Sequence, residues 1–248
     1  MVHLVGLAGS PGARPMDEVL SRARRDAETL AGLGYDAVLI ENYGDLPFLP
    51  GRVEEHTVVA MTLAAREIAG RLTIPLGINV LRNDPVSALA IASLVGGRFI
   101  RVNVHAGVRA TDQGIIEGRA HETLRYRDRM GSDVMVFADI SVKHSKSIDG
   151  GSLEEEARET AYRGLADALI VTGSATGAET AVADVEAVRK AVPDKPILVG
   201  SGVTSENVRS ILGVADGIIV GSDLKKDGRA ENAVDPARAQ RLLHYAGR

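Results

Sequence analysis

The chain has 248 residues, 45% of them apolar, enough to bury one large core and close to the length that a single (β/α)8 barrel needs. It contains no Cys, which excludes disulfides, iron–sulfur clusters, thiolate zinc sites and a cysteine nucleophile. A formal charge of −4 with scattered basic residues, 3% aromatic content and no Trp argue against nucleic acid as a partner.

Val2 to Leu7 reads as a strand, broken by Gly9-Ser10-Pro11-Gly12, and Met16 to Leu33 carries apolar residues at helical spacing. The opening residues lack a basic leader, so no secretory signal is expected and a cytoplasmic location is. Ala37 to Ile40 is the second strand and ends at Glu41-Asn42; a loop with Pro47 and Pro50 leads to a helix over Val53 to Leu72. Leu76 to Leu81 is the third strand. Asp84-Pro85 then supplies an N-cap with proline at the first helical position, and a helix follows over Val86 to Val95. The apolar segment Pro85 to Gly97 is too short to span a bilayer, so no membrane insertion is expected.

Phe99 to Val104 is the fourth strand. The long stretch from Ala106 to Ala120 reads as a loop that covers the site, with Gly107, Gly114 and Gly118 as hinges and Asp112-Gln113 as ligand contacts. A helix near Glu122 to Arg129 and a strand over Asp133 to Val142 come next. Ser152 with Glu155 forms a capping-box pattern ahead of a helix over Leu153 to Leu165. Ala168 to Val171, a helix over Val182 to Val192, Ile197 to Val199, a helix beginning near Thr204 and Asn207, and Ile218 to Val220 complete the alternation. Asp235-Pro236 opens a last helix. Eight strand-and-helix units in strict alternation imply one parallel sheet closed into a (β/α)8 barrel, a single domain over 1–248.

Active sites of such barrels are built at the C-terminal ends of the strands. The seventh and eighth strands both end in small residues, Gly200-Ser201-Gly202 and Gly221-Ser222, where uncovered backbone N–H groups are expected to hold a phosphate. Asn79, Arg82, Asn103, Thr172, Gly173 and Thr176 stand at other strand ends or the loops after them and are candidate ligand contacts. Asp139 lies inside an apolar run, Glu41 ends the second strand, and Lys143 is one of six lysines. The expectation is that Asp139 and Glu41 transfer protons and that Lys143 stabilises charge on the substrate. Burial of Asp139 against a barrel-interior arginine such as Arg101 would make it core architecture instead. A metal held by Glu41, Asp112, Asp139 and His144 would be Mg²⁺ or Mn²⁺ rather than zinc, but the spacing matches no dedicated ligand motif, and no cofactor is expected. His3, His56, His121 and His244 read as structural or surface residues, while His105 at the start of the long loop is harder to dismiss.

Several stretches give a specific resemblance: Glu41-Asn42-Tyr43-Gly44-Asp45, Gly77-Ile78-Asn79-Val80-Leu81-Arg82-Asn83-Asp84, Arg101-Val102-Asn103-Val104, Thr111-Asp112-Gln113-Gly114, Val142-Lys143-His144 and Val199-Gly200-Ser201-Gly202-Val203. Over nearly its whole length the chain resembles the BtpA/SgcQ family, whose name comes from a factor for photosystem I biogenesis. The first loop, Leu4-Val5-Gly6-Leu7-Ala8, departs from the prolines the family tends to have there. The resemblance implies a ribulose-phosphate-binding type of barrel. The expected function is an isomerase or lyase acting on a phosphorylated sugar or nucleotide-like metabolite, in a homo-oligomer. The alternatives are an assembly factor working through its surface and a hydrolase using the Glu41 and Asp139 carboxylates.

Overall fold

The computed structural model describes residues 1–140, 145–148, 150–173 and 182–248. Eight parallel strands form one sheet: β1 (Val2–His3), β2 (Val38–Glu41), β3 (Leu76–Asn79), β4 (Phe99–Val102), β7 (Met135–Ile140), β9 (Ala168–Val171), β10 (Ile197–Val199) and β11 (Gly217–Ile218), in that spatial order. The backbone nitrogen of Met1 donates to Val220 O at 2.9 Å and so joins the first strand to the chain leaving the last. This is the (β/α)8 barrel that the alternation implies. The helices α1 (Met16–Leu33), α2 (Glu55–Ala69), α3 (Pro85–Val95), α4 (Ala120–Arg129), α5 (Leu153–Arg158), α6 (Val182–Ala191), α7 (Val208–Leu212) and α8 (Pro236–Tyr245) follow in turn.

The period-two pleat of the strands separates two cores. Outward-facing Val2, Ile40, Ile78, Ile100, Val136 and Val199 belong to the large core shared with the helices. A second, small cluster of Met1, Leu39 and Phe99, with Phe137 and Ile219 against it, fills the barrel interior, where the Phe99 and Phe137 rings stack 4.8 Å apart. Gly77 makes room for that stack, since a Cβ there would lie 2.2 Å from the Phe99 ring.

Sequence-read caps form as expected. Asp84 accepts from Ser87 N at 3.0 Å ahead of Pro85, Ser152 and Glu155 close a reciprocal capping box, and Asp235 accepts from Ala237 N at 2.9 Å. Asp84 also accepts from Val53 N at 3.0 Å, which ties the loop before α2 to the start of α3.

Four expectations need correction. The first strand is only Val2–His3, because beyond it Leu4 is drawn into loop hydrogen bonds, donating to Glu41 O and accepting from Gly44 N. The Ala106 to Ala120 stretch is not an open loop but an antiparallel hairpin, β5 (Val108–Thr111) and β6 (Gly114–Glu117), with β8 (Ser145–Ser147) paired on the other edge of β5. Gly118 is no hinge within it: a Cβ would lie 2.5 Å from the Ala106 backbone, so the glycine permits a tight crossing. The helix expected over Leu153 to Leu165 ends as α5 at Arg158 and continues as a π-helical turn over Glu159–Arg163.

Candidate functional site

At the C-terminal ends of the strands the barrel interior turns polar. The register pairs His3 with Glu41 and Glu41 with Asn79, setting three polar side chains side by side on β1, β2 and β3. Asn79 Nδ2 donates to Glu41 Oε2 at 2.7 Å, and His3 Nε2 stands 3.8 Å from Glu41 Oε1. All three are buried. The loops above them are braced by amides: Asn42 Oδ1 accepts from Leu81 N at 2.7 Å, and Asn83 both donates to Val104 O and accepts from Val104 N, each at 2.9 Å. Asn42, Asn83 and Asp45, which accepts from Leu7 N at 2.7 Å, hold the strand ends in place.

Across the mouth, Arg101 of β4 and Asp139 of β7 form a bidentate pair, Nε to Oδ1 at 2.9 Å and Nη2 to Oδ2 at 3.0 Å. Asn103 Nδ2 adds a third bond to Oδ2 at 2.9 Å. Burial works against the Arg101 charge, but the Asp139 carboxylate raises its pKa above the ordinary value overall. The Asp139 side chain is 0% exposed and both its oxygens are occupied. The expectation that Asp139 transfers protons is therefore withdrawn: this carboxylate holds a guanidinium in place. Asn103 Oδ1, by contrast, is buried without a hydrogen-bond partner among the described residues.

Arg82 is buried at the end of β3; burial lowers its pKa, while Asp139, Asp112 and Glu41 act to keep it charged. Asp112, at the tip of the β5–β6 hairpin, is thus near enough to the strand ends for its charge to be felt there. Gln113 beside it donates to Asp112, and its Oε1 is buried without a hydrogen-bond partner among the described residues.

The two glycine turns meet in a polar pocket of about 50 Å³, lined among others by His3, Glu41, Tyr43, Arg101, Gly202 and Gly221. Thr172 is buried beside it, and Gly200 carries no Cβ where one would lie 2.5 Å from Ile170 and 3.2 Å from both Thr172 and the Arg101 guanidinium. Gly202 takes a positive φ of 68°. The N–H groups of Gly202, Gly221 and Ser222 make no hydrogen bond among the described residues. The N–H of Gly173 does not share this property, because Ser201 Oγ accepts it; Ser201 joins the ends of β9 and β10.

Lys143, His144 and Thr176 lie outside the described residues. Among those described, no group of three or more His, Asp or Glu residues is arranged to hold a metal ion. His105 is buried on the outer side, its Nε2 2.8 Å from Gly164 O below the π-helical turn, and burial lowers its pKa. A larger apolar cavity of about 570 Å³ opens at the opposite end of the barrel around Leu39, Phe99, Phe137 and Leu198, away from the polar strand ends. Sequence reasoning missed His3, whose partners come from residues 41 and 230.

Residues 1–248 match the BtpA family. The chain is 43% identical over 244 residues to the "Photosystem I biogenesis protein BtpA" of Synechocystis sp., covering 98% of this chain and 85% of that one. It is 46% identical over 247 residues to an uncharacterised protein of Thermococcus kodakarensis, covering 99% and 93%, and 33% identical over 254 residues to an uncharacterised mitochondrial protein of Caenorhabditis elegans, covering 99% and 91%. Among solved structures, the fold is similar to orotidine 5'-phosphate decarboxylase from Pyrococcus horikoshii, with TM-score 0.60, 14% identity and 92% and 94% coverage. It is similar also to N-(5'-phosphoribosyl)anthranilate isomerase from Pyrococcus furiosus, with TM-score 0.59, 16% identity and 91% and 94% coverage.

Proposed function

The chain belongs to the BtpA family, and from the chemistry of its barrel mouth we propose that it is an enzyme binding a phosphorylated small molecule, an isomerase or lyase on a sugar phosphate or nucleotide-like metabolite. The observation carrying this reading is the pocket that the Gly202 and Gly221-Ser222 turns line together with the paired Arg101 guanidinium. N–H groups without a partner among the described residues, beside a guanidinium held in place by Asp139, suit a phosphate group. The similar solved barrels are named for phosphorylated substrates, which agrees with it. Asn79, Arg82 and Asn103 then face the rest of the ligand, and the orphaned Asn103 Oδ1 accepts from a ligand hydroxyl or amide. Asp112 and Gln113 approach it from the hairpin. Relatives in an archaeon and a nematode, which do not photosynthesise, favour a metabolic role over photosystem assembly.

The test is anion binding. Wild-type protein is expected to bind sulfate or inorganic phosphate in calorimetry, and Gly221→Val to lose that binding while keeping its far-ultraviolet spectrum and melting transition. A Cβ at Gly221 would come within 3.2 Å of the His3 ring, so the added bulk closes the pocket. Undiminished sulfate affinity in the variant would place the anion elsewhere.

The surface offers a second, compatible reading. Val59 and Leu63, one turn apart on α2, and Leu94 on the neighbouring α3 are exposed. We propose that these exposed apolar side chains belong to a contact between copies of the chain. Light scattering should give more than the 26.1 kDa of one chain, and Leu63→Glu with Leu94→Glu should return that single-chain mass without loss of sulfate binding. A wild-type mass of one chain would remove this reading.

A further inference from the structure

We infer that His3 is the acid–base residue of the mouth, its Nε2 exchanging a proton with a ligand atom adjoining the bound phosphate while Glu41 balances the charge that forms on the ring. This rests on the reading that an anion occupies the Gly202 and Gly221 turns. Nδ1 lies 2.8 Å from Ala230 O, and a carbonyl can only accept, so Nδ1 carries the proton in the neutral ring and Nε2 is the atom that gains or loses one. Nε2 stands 3.8 Å from Glu41 Oε1, and the other oxygen of that carboxylate is fixed by Asn79. The ring stacks on Tyr43 with centroids 4.6 Å apart, so it cannot swing away freely. Its Cε1 and Nε2 edge borders Gly221, where a Cβ would meet those atoms at 3.2 and 3.4 Å. The imidazole is thus held from three sides, with its working edge on the phosphate turn.

The step balances without a co-reactant. Nε2 takes a proton from a carbon or hydroxyl of the ligand, and the C–H or O–H electron pair stays on the ligand. The imidazolium so formed is stabilised by Glu41, and the same proton returns to a neighbouring ligand atom, as an isomerisation requires. Asp139, occupied by Arg101 and Asn103, takes no part.

The experiment follows sulfate, whose charge is constant over about pH 6–9, the range in which an imidazole titrates. Among the described residues, the charged and titratable groups lining the pocket with His3 include Glu41 on β2, Tyr43 after it, Arg101 on β4 and the Met1 residue, and the charge of Glu231 beside Ala230 acts on Tyr43. Burial pushes the Tyr43 phenol up and holds the Met1 amine down to about 5, so neither changes charge in that range. In wild-type protein, sulfate affinity should rise as pH falls, by up to about tenfold per unit, with one proton taken up on binding. Glu41→Gln should shift that profile to lower pH by about one unit, because an opposite charge beside the ring is lost. His3→Gln should still bind sulfate through the amides and Arg101 but with a flat profile. Nitrogen-15 spectra should show the neutral wild-type ring protonated on Nδ1, with or without sulfate. An unchanged pH profile in His3→Gln, or a ring protonated on Nε2 alone, would overturn the assignment of His3 while leaving anion binding intact. Failure of wild-type protein to bind sulfate at any pH would overturn the phosphate reading, and this proposal with it.

Discussion

Asp139→Ala is expected to lower stability by about 3–5 kcal/mol, the effect of leaving a buried charge without its partner. Arg101 is 3% exposed, and in the variant its guanidinium would lose both bonds to Asp139. Asn103 would lose its donor contact as well, in a residue whose Oδ1 already lacks a partner among the described residues. The double variant Arg101→Met with Asp139→Leu removes both charges together and should recover most of that loss, since apolar side chains of similar size often replace a buried pair without penalty. It should also bind sulfate poorly, because Arg101 lines the pocket proposed to hold the anion. Denaturant titration of the two single variants and the double one gives the interaction energy. A loss below about 1 kcal/mol in Asp139→Ala would mean that the pair behaves as a solvated one, and Asp139 would again be open to catalysis.

The same pair shows how far the sequence could be read. An aspartate within Phe137-Ala138-Asp139-Ile140 needs a partner, and that much is visible from the apolar run around it. Which partner it has depends on register. Arg101 pairs with Phe137 across β4 and β7, so the guanidinium reaches one pleat forward to Asp139, and this offset is set by the barrel's closure rather than by local pattern. The alternation of strands and helices was legible because it is local: apolar runs, proline-led helix starts, and caps at Asp84, Ser152 and Asp235 lie within a few residues of what they control. The β5–β6 hairpin was not. Its turn is Asp112-Gln113 rather than an Asn-Gly or Asp-Gly pair, and its third strand, Ser145–Ser147, has no strand-forming residue. The usable signal was Ile116, buried against Val104, in a stretch read as a loop. His3 escaped for a different reason. Its carbonyl partner is 227 residues away, and nothing around the third residue of a chain points to residue 230.

The segment that carries this distant partner is anchored by Asp26, and Asp26→Ala is expected to lower stability by about 3–5 kcal/mol. Lys225 is completely buried, and its ammonium is 3.3 Å from Asp26 Oδ2 on α1. Asp26 Oδ1 accepts from Val234 N at 3.0 Å, so one carboxylate anchors both ends of the segment 225–234 to the first helix. Burial pushes the Lys225 pKa down from its ordinary 10.5, with Asp26 opposing the shift. The folded protein therefore releases this proton at a lower pH than the unfolded chain does. Between the lowered value and about 10.5 the unfolded chain binds more protons, so stability contributed by this group rises with pH across that window. Without Asp26 the pKa falls further, the window extends to lower pH, and the variant's deficit should shrink as pH rises through it. Lys225→Met should remove this group's contribution to the pH dependence and, in the Asp26→Ala background, restore part of the stability. The consequence reaches the site because Ala230, whose carbonyl holds His3 Nδ1, lies within the anchored segment. Asp26→Ala should consequently flatten the pH profile of sulfate binding while leaving the amides of Gly202 to bind the anion. A variant that kept both its stability and that profile would mean that the segment is held by its other contacts, and that the buried pair contributes nothing to positioning the ring.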